Sequence, residues 1–352
     1  MLKDKPRVFL FGTNPASVLN NLALGLRENG VPVKAVSFDF RRSGYNNYSA
    51  IELICSDNQP GRFKIYAYKL KGLFLLIRYL LWCDVVHVYG NISNISYWLM
   101  SKLARNKFIS FVGSDIRVPE IELAQNPYFK YAYEDAGYEY KAEANNRTSE
   151  MLQYLRKLGF KFIVWDVAMF FDEDLQEFIA RVPHSSANAA SAKHTDNAVP
   201  LLIHSPTAPV AKGSKYVLAA VEKLKERKVE IDFRLLQNMP NDVYQQALDN
   251  ADIYIDQLMW GAYGVAAQQA MEMGKTVVAY ITPQNAELYG PDCPIQNANI
   301  NDLADVLEKL VKDKALRESI GKQSVSYYNK MHKPSAVAAK MLQAYRELSS
   351  KN

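Results

Sequence analysis

At 352 residues, 49% hydrophobic and 22% charged, the chain is long enough for two domains, each with its own core, and its composition excludes a disordered or fibrous polymer. Its 42 basic and 37 acidic residues leave a net charge of +5, which suits a phosphorylated ligand or an anionic membrane surface and is too small to argue for nucleic acid. Cys55, Cys83 and Cys293 are an odd, scattered set without metal-ligand spacing or a disulfide framework, which fits a reducing, cytoplasmic compartment.

The first expected strand, Arg7 to Phe11, starts almost at the N-terminus, so no signal peptide is expected. No apolar run approaches the roughly 20 residues of a membrane-spanning helix. A turn at Gly12-Thr13-Asn14-Pro15 leads to a helix, Ala16 to Glu28, with Leu19, Leu22 and Leu26 on one stripe and Gly30 as its stop. Val33 to Phe38 is the second strand. A βαβ opening of this kind belongs to a doubly wound sheet, whose ligands bind beyond the carboxyl ends of the strands. Thr13 and Asn14 stand at such an end, where they either cap the helix or face a ligand.

Lys64 to Trp82 is apolar and aromatic, interrupted by Lys69, Lys71 and Arg78. It reads as a core helix with basic flanks in preference to an interfacial helix against a membrane. Asp84 to Tyr89 is a buried-type strand ending at Gly90-Asn91. Phe108 to Val112 is another, ending at Gly113-Ser114-Asp115-Ile116-Arg117. Asp115 can cap that turn or accept hydrogen bonds from ligand hydroxyls, and Arg117 can hold a phosphate or pair with Asp115. Asn146-Arg147-Thr148 has the form of a glycosylation acceptor, which carries no meaning in the cytoplasm. Lys161 to Asp166 is expected to be the last strand of the first domain. Val182 to Pro200 is small, polar and alanine-rich, and is the clearest boundary in the chain. It holds His184 and His194, read as exposed histidines rather than metal ligands.

Leu201 to His204 opens the second domain as a strand. Ser205 to Gly213 leads to a helix, Lys215 to Lys225, with Ser214 as its N-cap and Val217, Val221 and Leu224 as its core stripe. Ile231 to Leu236 is a strand and Asp242 to Asn250 a short helix. Asp252 to Tyr280 then reads strand, turn, helix, strand: Ile253 to Ile255, the turn at Gly261 and Gly264, Val265 to Met273 stopped by Gly274, and Thr276 to Tyr280. A glycine turn feeding a helix presents backbone N–H groups and the positive end of the helix dipole to an anion. Gly261 and Gly264 lack a Cβ and so let a ligand approach. Asp256 and Gln257 end the first of these strands, at a ligand-facing position. Pro283 to Pro294 is expected as a covering loop. Helices at Ile300 to Lys312, Lys314 to Met331 and Pro334 to Ser349 finish the chain, with Tyr327-Tyr328 marking a kink. The expected domains are 1–182 and 200–334, joined by a linker at 183–199, with a last helix in 335–352 that crosses back to the first.

The Asp252 to Lys275 stretch resembles the donor-site segment of the family 4 retaining glycosyltransferases. In that family a Glu, a Gly-aromatic-Gly and a second Glu followed by Ala-Met open the nucleotide-sugar site. The match is Ala262-Tyr263-Gly264, Gln269-Ala270-Met271 and Gly274-Lys275, with Gly261 and Gln269 at the two glutamate positions. Lys212-Gly213-Ser214 resembles the Lys-Gly whose lysine grips the departing nucleotide diphosphate, and Gly113 to Arg117 resembles an acceptor-domain loop. The family's Arg shortly before that lysine is missing, because Thr207, Ala208 and Pro209 fill the region. Its His before the acceptor-loop glycine is replaced by Val112.

The resemblance implies an α/β protein of two Rossmann-like doubly wound domains, the GT-B fold, with a deep interdomain cleft. It implies transfer of a sugar from a nucleotide-diphosphate sugar to a glycan, lipid-linked or other acceptor, with retention and without a metal or cofactor. Lys212 and the N–H groups around Gly264 and Val265 would take the diphosphate, Gln269 the ribose hydroxyls, and Tyr263 a place near the ribose. His204, Gly213, Ser214 and Asp256 complete the donor side. Gly261 and the Gly113-Ser114-Asp115 loop would hold the sugar, Asp115 joining Lys212 in catalysis. The acceptor would lie against Gly12, Thr13, Asn14 and Asn91, with Arg117 nearby. Members of the family that act on lipid-linked acceptors often touch the inner membrane face through the first domain, which keeps the interfacial reading of Lys64 to Trp82 open; the mild charge gives no expectation of nucleic acid.

The alternative is a catalytically silent protein of the same fold, a partner-binding subunit or nucleotide-sugar binder. Four polar positions of the pattern are altered, and one lost charged hydrogen bond commonly costs about 1.5–3 kcal/mol. A sugar-nucleotide epimerase of this fold would need acid–base carboxylates, for which Asp115 and Asp256 are the candidates.

Overall fold

The computed structural model describes residues 2–38, 47–55, 61–141, 148–187, 195 and 197–351. His194, Asn146 and Arg147 lie outside the described residues, as do residues 188–194 and 196 of the expected linker. The chain forms two compact units. The first comprises Met1–Val118, Ala144–Ser186 and Lys333–Asn352; the second comprises Pro119–Glu143 and Ala187–His332.

The strands are β1 Val8–Gly12, β2 Val33–Ser37, β3 Glu52–Leu53, β4 Val85–Tyr89, β5 Asn106–Ser110, β6 Phe160–Val164, β7 Ile179–Arg181, β8 Leu201–His204, β9 Asp232–Leu235, β10 Ile253–Ile255, β11 Thr276–Ala279 and β12 Gln296–Asn297. The helices are α1 Val18–Glu28, α2 Arg62–Trp82, α3 Asn94–Leu103, α4 Pro119–Gln125, α5 Lys130–Tyr133, α6 Thr148–Lys157, α7 Pro209–Lys212, α8 Ser214–Glu226, α9 Asn241–Asn250, α10 Val265–Glu272, α11 Pro283–Tyr289, α12 Leu303–Lys312, α13 Lys314–Met331 and α14 Pro334–Ser349.

The first unit carries a parallel sheet in the order β3-β2-β1-β4-β5-β6-β7. The second carries a parallel sheet in the order β12-β11-β10-β8-β9. Central strands such as β1 and β4 are buried along their whole length, as continuous Val, Leu and Phe runs require when both faces of a sheet are covered. The strand order reverses between β1 and β4 in the first unit and between β8 and β10 in the second. Ligands of such sheets bind at the carboxyl ends beside this reversal. The α/β class with two doubly wound parallel sheets is as expected.

Several elements differ from the sequence reading. The helix expected from Ala16 begins instead as a 3-10 turn, Pro15–Ser17, in which Ala16 and Ser17 take the left-handed φ values 47° and 64°. The strand at β6 is followed by β7, which closes the first sheet. Residues 119–143 belong to the second unit because their aromatic side chains are needed there. Phe129, Ala132 and Tyr138 are buried in its core beside Leu258 and Met259. The segment from Pro283 is a helix, α11, whose N-cap Thr282 hydroxyl accepts from the Asn285 N–H. Tyr327 and Tyr328 are buried inside a continuous α13, and the break comes at His332 and Lys333, ahead of Pro334. The N-cap of α8 is Gly213, not Ser214. His184 is half-buried rather than exposed, and burial lowers its pKa. Helix α2 is not a core helix. Leu75, Leu76 and Leu80 are buried, while the opposite face lies in solvent.

Helix α14 packs on α1 within the first unit, where a Cβ at Gly25 would stand 2.0 Å from the Pro334 carbonyl oxygen. Only glycine permits that approach. Tyr345 of α14 then reaches His87 in the central strand β4, 2.7 Å from Nδ1.

Candidate functional site

In the second unit the chain delivers opposite charges to the strand-order reversal. Asp256 follows β10 directly and is fully buried. Lys212 ends the one-turn helix α7, and its ammonium lies 3.4 Å from Asp256 Oδ1, with the lysine side chain 12% exposed. The Gly264 N–H, at the N-cap of α10, donates to Asp256 Oδ2 at 2.6 Å. Thus a carboxylate of the protein itself occupies the place where a cation and a helix N-terminus converge. Those two features are the ones that bind an anion. The Gly264 N–H assigned to a diphosphate is spent on Asp256 in this geometry.

His204, at the end of β8, is also fully buried. The Ile255 carbonyl can only accept, so His204 Nδ1 carries the proton and donates to it at 2.8 Å. Nε2 then accepts from the Ser214 hydroxyl at 2.9 Å. Burial lowers the histidine pKa to about 4, and the Lys212 charge pushes the same way. His204 therefore stays neutral and braces β8, β10 and the start of α8. Gly213 takes φ +77°, and a Cβ there would come within 2.9 Å of the Met259 methyl. This places Lys212 close against the turn that follows β10.

The turn is held by polar side chains: Gln257, expected to face a ligand, is buried and turned onto it, and Asn126, Thr282, Asn285 and Glu139 carry no local signal. Gln257 donates to the Ala262 carbonyl at 2.6 Å. Asn126, on the segment 119–143, donates to the Met259 carbonyl at 2.7 Å and to Glu122 at 2.9 Å. Thr282 N–H and Asn285 Nδ2 both donate to the Gly261 carbonyl at 2.9 Å. A Cβ at Gly261 would stand 2.4 Å from Thr282 Cγ2, so glycine is imposed by packing as well as by φ +64°. Glu139 accepts from the Val210 and Ala211 N–H groups, at 2.9 and 3.0 Å, and so fixes the helix that ends in Lys212. No local pattern announces Glu139 or Asn126, because each acts across more than 70 residues of sequence.

Tyr263 is buried. Its hydroxyl lies 2.9 Å from His332 Nε2, and its ring packs on Tyr289 at 4.5 Å. It serves the interior of the unit, away from the solvent where a ribose would lie. Gln269 and Val265 are half-buried on the first two turns of α10.

The first unit places its expected residues at the ends of β1, β4 and β5. Gly12 has φ +148°, and a Cβ there would meet the Tyr89 carbonyl oxygen at 2.1 Å. The Thr13 N–H donates to the same carbonyl at 3.1 Å. Asn14 is buried, accepts from the Asn20 N–H at 3.1 Å and donates to the Asn47 carbonyl at 2.8 Å. Gly90 has φ +70°, and Asn91 beyond it is exposed. Asp115 accepts from the N–H groups of Gly113 at 2.9 Å and Val112 at 3.1 Å, closing the loop that includes the half-buried Ser114. Arg117 is buried with its guanidinium 5.6 Å from the Phe170 ring centroid. Among the described residues, no group of three or more His, Cys, Asp or Glu side chains is placed to hold a metal ion.

Residues 197–326 match the family model described as glycosyl transferases group 1. The solved structure of sucrose-phosphate synthase from Thermosynechococcus elongatus superposes with a TM-score of 0.63 at 12% identity, covering 98% of this chain and 100% of that one. The fold is GT-B. An alpha-glucosyltransferase in complex with UDP-glucose and DNA containing an abasic site gives a TM-score of 0.60 at 11% identity, over 97% of this chain and 99% of that one. A glycosyltransferase from Rickettsia africae ESF-5 gives 0.58 at 14% identity, over 98% and 99%. A sequence comparison with curated proteins finds no match. The matched span contains the Lys212, Asp256 and Gly264 cluster.

Proposed function

We propose that the protein is a glycosyltransferase that takes a sugar from a nucleotide-diphosphate donor and passes it to a glycan or lipid-linked acceptor. The observation that carries this reading is the Lys212 ammonium held beside the N-terminus of α10 at the strand-order reversal of the second unit. Negative charge grows on the diphosphate as the bond to the sugar breaks, and a fixed cation with a helix terminus stabilises it. In this role they supply the positive charge without a metal, and retention of configuration is the expected stereochemistry. Donor binding requires Lys212 to exchange Asp256 for phosphate. Gln269, on α10, is the group proposed for the ribose hydroxyls. The strand ends Gly12 to Asn14, Asn91 and Gly113 to Arg117 of the first unit are the proposed acceptor side.

The test is a thermal-shift screen against UDP, GDP, ADP and CDP and their sugar conjugates. A ligand at about 100 times its dissociation constant stabilises by about 2.7 kcal/mol. One nucleoside diphosphate should raise the melting temperature, and Lys212→Ala should abolish the shift while leaving the fold intact. An undiminished shift in that variant removes Lys212 from the site.

A second reading, a binder of nucleotide sugars without transfer, is favoured by Asp256 in the anion seat and by Gly261 and Gln269 at the two family glutamate positions. Slow release of nucleoside diphosphate from the shifted donor separates the two readings. The transferase releases it, and the silent binder does not.

A further inference from the structure

Lys212 and the Gly264 N–H cannot serve a diphosphate and Asp256 at once. When an anion takes both, the Asp256 carboxylate loses the ion pair and the backbone hydrogen bond that hold it, while fully buried. A carboxylate left in the interior without a donor is strongly disfavoured, and that cost weakens ligand binding directly.

Strand β10 places donors close by. Side chains alternate across a strand, and Ile253 and Ile255 lie in the core on one face. Tyr254 and Asp256 therefore share the other face, about 7 Å apart along the strand. Tyr254 is fully buried, and Tyr244, in the first turn of α9, is buried beside it. The two hydroxyls face each other, and among the described residues neither closes a hydrogen bond. Even paired with each other, one O–H would lack an acceptor. Burial raises the pKa of both tyrosines and the Asp256 charge pushes the same way, so both hydroxyls stay protonated within electrostatic reach of that carboxylate. In the resting geometry such a buried O–H gains nothing over the C–H of a phenylalanine. His204, which the Asp256 charge also reaches, is not available, because Nδ1–H donates to the Ile255 carbonyl and Nε2 accepts from Ser214.

We propose that the Tyr254 and Tyr244 hydroxyls are a second resting place for the Asp256 carboxylate, which rotates onto them when a nucleoside diphosphate takes Lys212 and the Gly264 N–H. The carboxylate exchanges an ion pair for charge-assisted hydrogen bonds, and no proton is transferred and no covalent bond changes. The tyrosines are positioning residues that act through Asp256 and touch no part of the ligand. The inference rests on the anion-seat reading and extends it to residues outside the seat.

The test is calorimetric titration of whichever of UDP, GDP, ADP and CDP binds, together with melting temperatures of the unliganded proteins. The proteins are wild type, Tyr254→Phe, Tyr244→Phe, Asp256→Asn, and each phenylalanine variant carrying Asp256→Asn. Unliganded Tyr254→Phe and Tyr244→Phe should melt at the wild-type temperature or above it, since the lost O–H had no acceptor. Each should bind the diphosphate about tenfold more weakly. In the Asp256→Asn background, where no charge has to move, the same substitutions should change affinity less than about twofold. Undiminished binding by both phenylalanine variants overturns the inference and leaves the anion seat in place. So does an equal loss in the aspartate and asparagine backgrounds, which would put the hydroxyls on the ligand itself. A lowered melting temperature of the unliganded phenylalanine variants also overturns it, because the hydroxyls would then already be bonded at rest. Wild-type protein that binds none of these nucleotides removes the seat, and this inference with it.

Discussion

The carboxyl strand ends of the two units are built by different means. Those of the first unit are shaped by backbone: Gly12 and Gly90 take left-handed conformations, and Asp115 folds back on its own loop. Those of the second unit are shaped by charge: Lys212 and Asp256 face each other at 3.4 Å beside a helix N-terminus. Both sheets are parallel and both bury a histidine in a central strand, yet only His204 sits next to ionised groups. His87 lies among Tyr345, Ser110 and Tyr89. The lesson is that one fold can present a steric surface at one sheet and an electrostatic one at the other.

The largest expected effect tests the steric half. Gly12→Ala forces a Cβ to 2.1 Å from a carbonyl oxygen in a strand that cannot retreat. It should cost about 3–5 kcal/mol in a denaturant titration. Gly213→Ala meets side chains rather than backbone, the Met259 methyl at 2.9 Å and Leu258 Cβ at 3.2 Å, and at φ +77° should cost about 1–2 kcal/mol. Equal costs would erase the distinction between the two strand ends.

The electrostatic half predicts the next effect. Asp256→Ala leaves the Lys212 ammonium and the Gly264 N–H without their acceptor in a buried setting, and should cost about 2–4 kcal/mol. Asp115→Ala removes two loop hydrogen bonds that water can replace, and should cost about 1 kcal/mol.

The buried histidines sharpen the comparison through pH. Burial lowers His87 from 6.5 to about 3 and His204 from 6.5 to about 4. The unfolded chain accepts a proton that each folded site refuses. Their contribution to stability is therefore complete above about pH 6.5 and is lost as pH falls from there toward the folded values. At pH 5 the loss is about 2 kcal/mol for each histidine. His87→Gln and His204→Gln should each flatten the melting-temperature profile between pH 7 and 5. Only His204→Gln should also weaken nucleotide binding, by way of Ser214 and the end of β8.

Much of the layout was legible in the sequence. Ile253 to Ile255, Leu201 to His204 and α13 are where apolar runs and helix stops put them, since buried parallel strands leave an unmistakable apolar signature. The charges at Lys212 and Asp256 were legible as residues, but their pairing was not, because 44 positions separate them. The aromatic residues Phe129 and Tyr138 looked like part of the first domain by sequence order, and only the packing of the second core shows where they are needed. Helix α2 was read as core because its composition is apolar. Composition alone does not say which of two apolar faces is covered. Tyr263 matched a donor-site pattern, and the buried His332 that engages its hydroxyl lies 69 residues further on.

We propose that Lys212 and the N-terminus of α10 form an anion seat, which Asp256 fills here and a nucleoside diphosphate takes over on binding. The most direct test is calorimetric titration of the nucleoside diphosphate chosen by the thermal screen into wild type, Lys212→Ala and Asp256→Asn. Asparagine preserves the acceptor for the Gly264 N–H and removes the competing charge. The account predicts no binding to Lys212→Ala and about tenfold tighter binding to Asp256→Asn, which corresponds to about 1.4 kcal/mol. Weaker binding to Asp256→Asn together with unchanged binding to Lys212→Ala would contradict it.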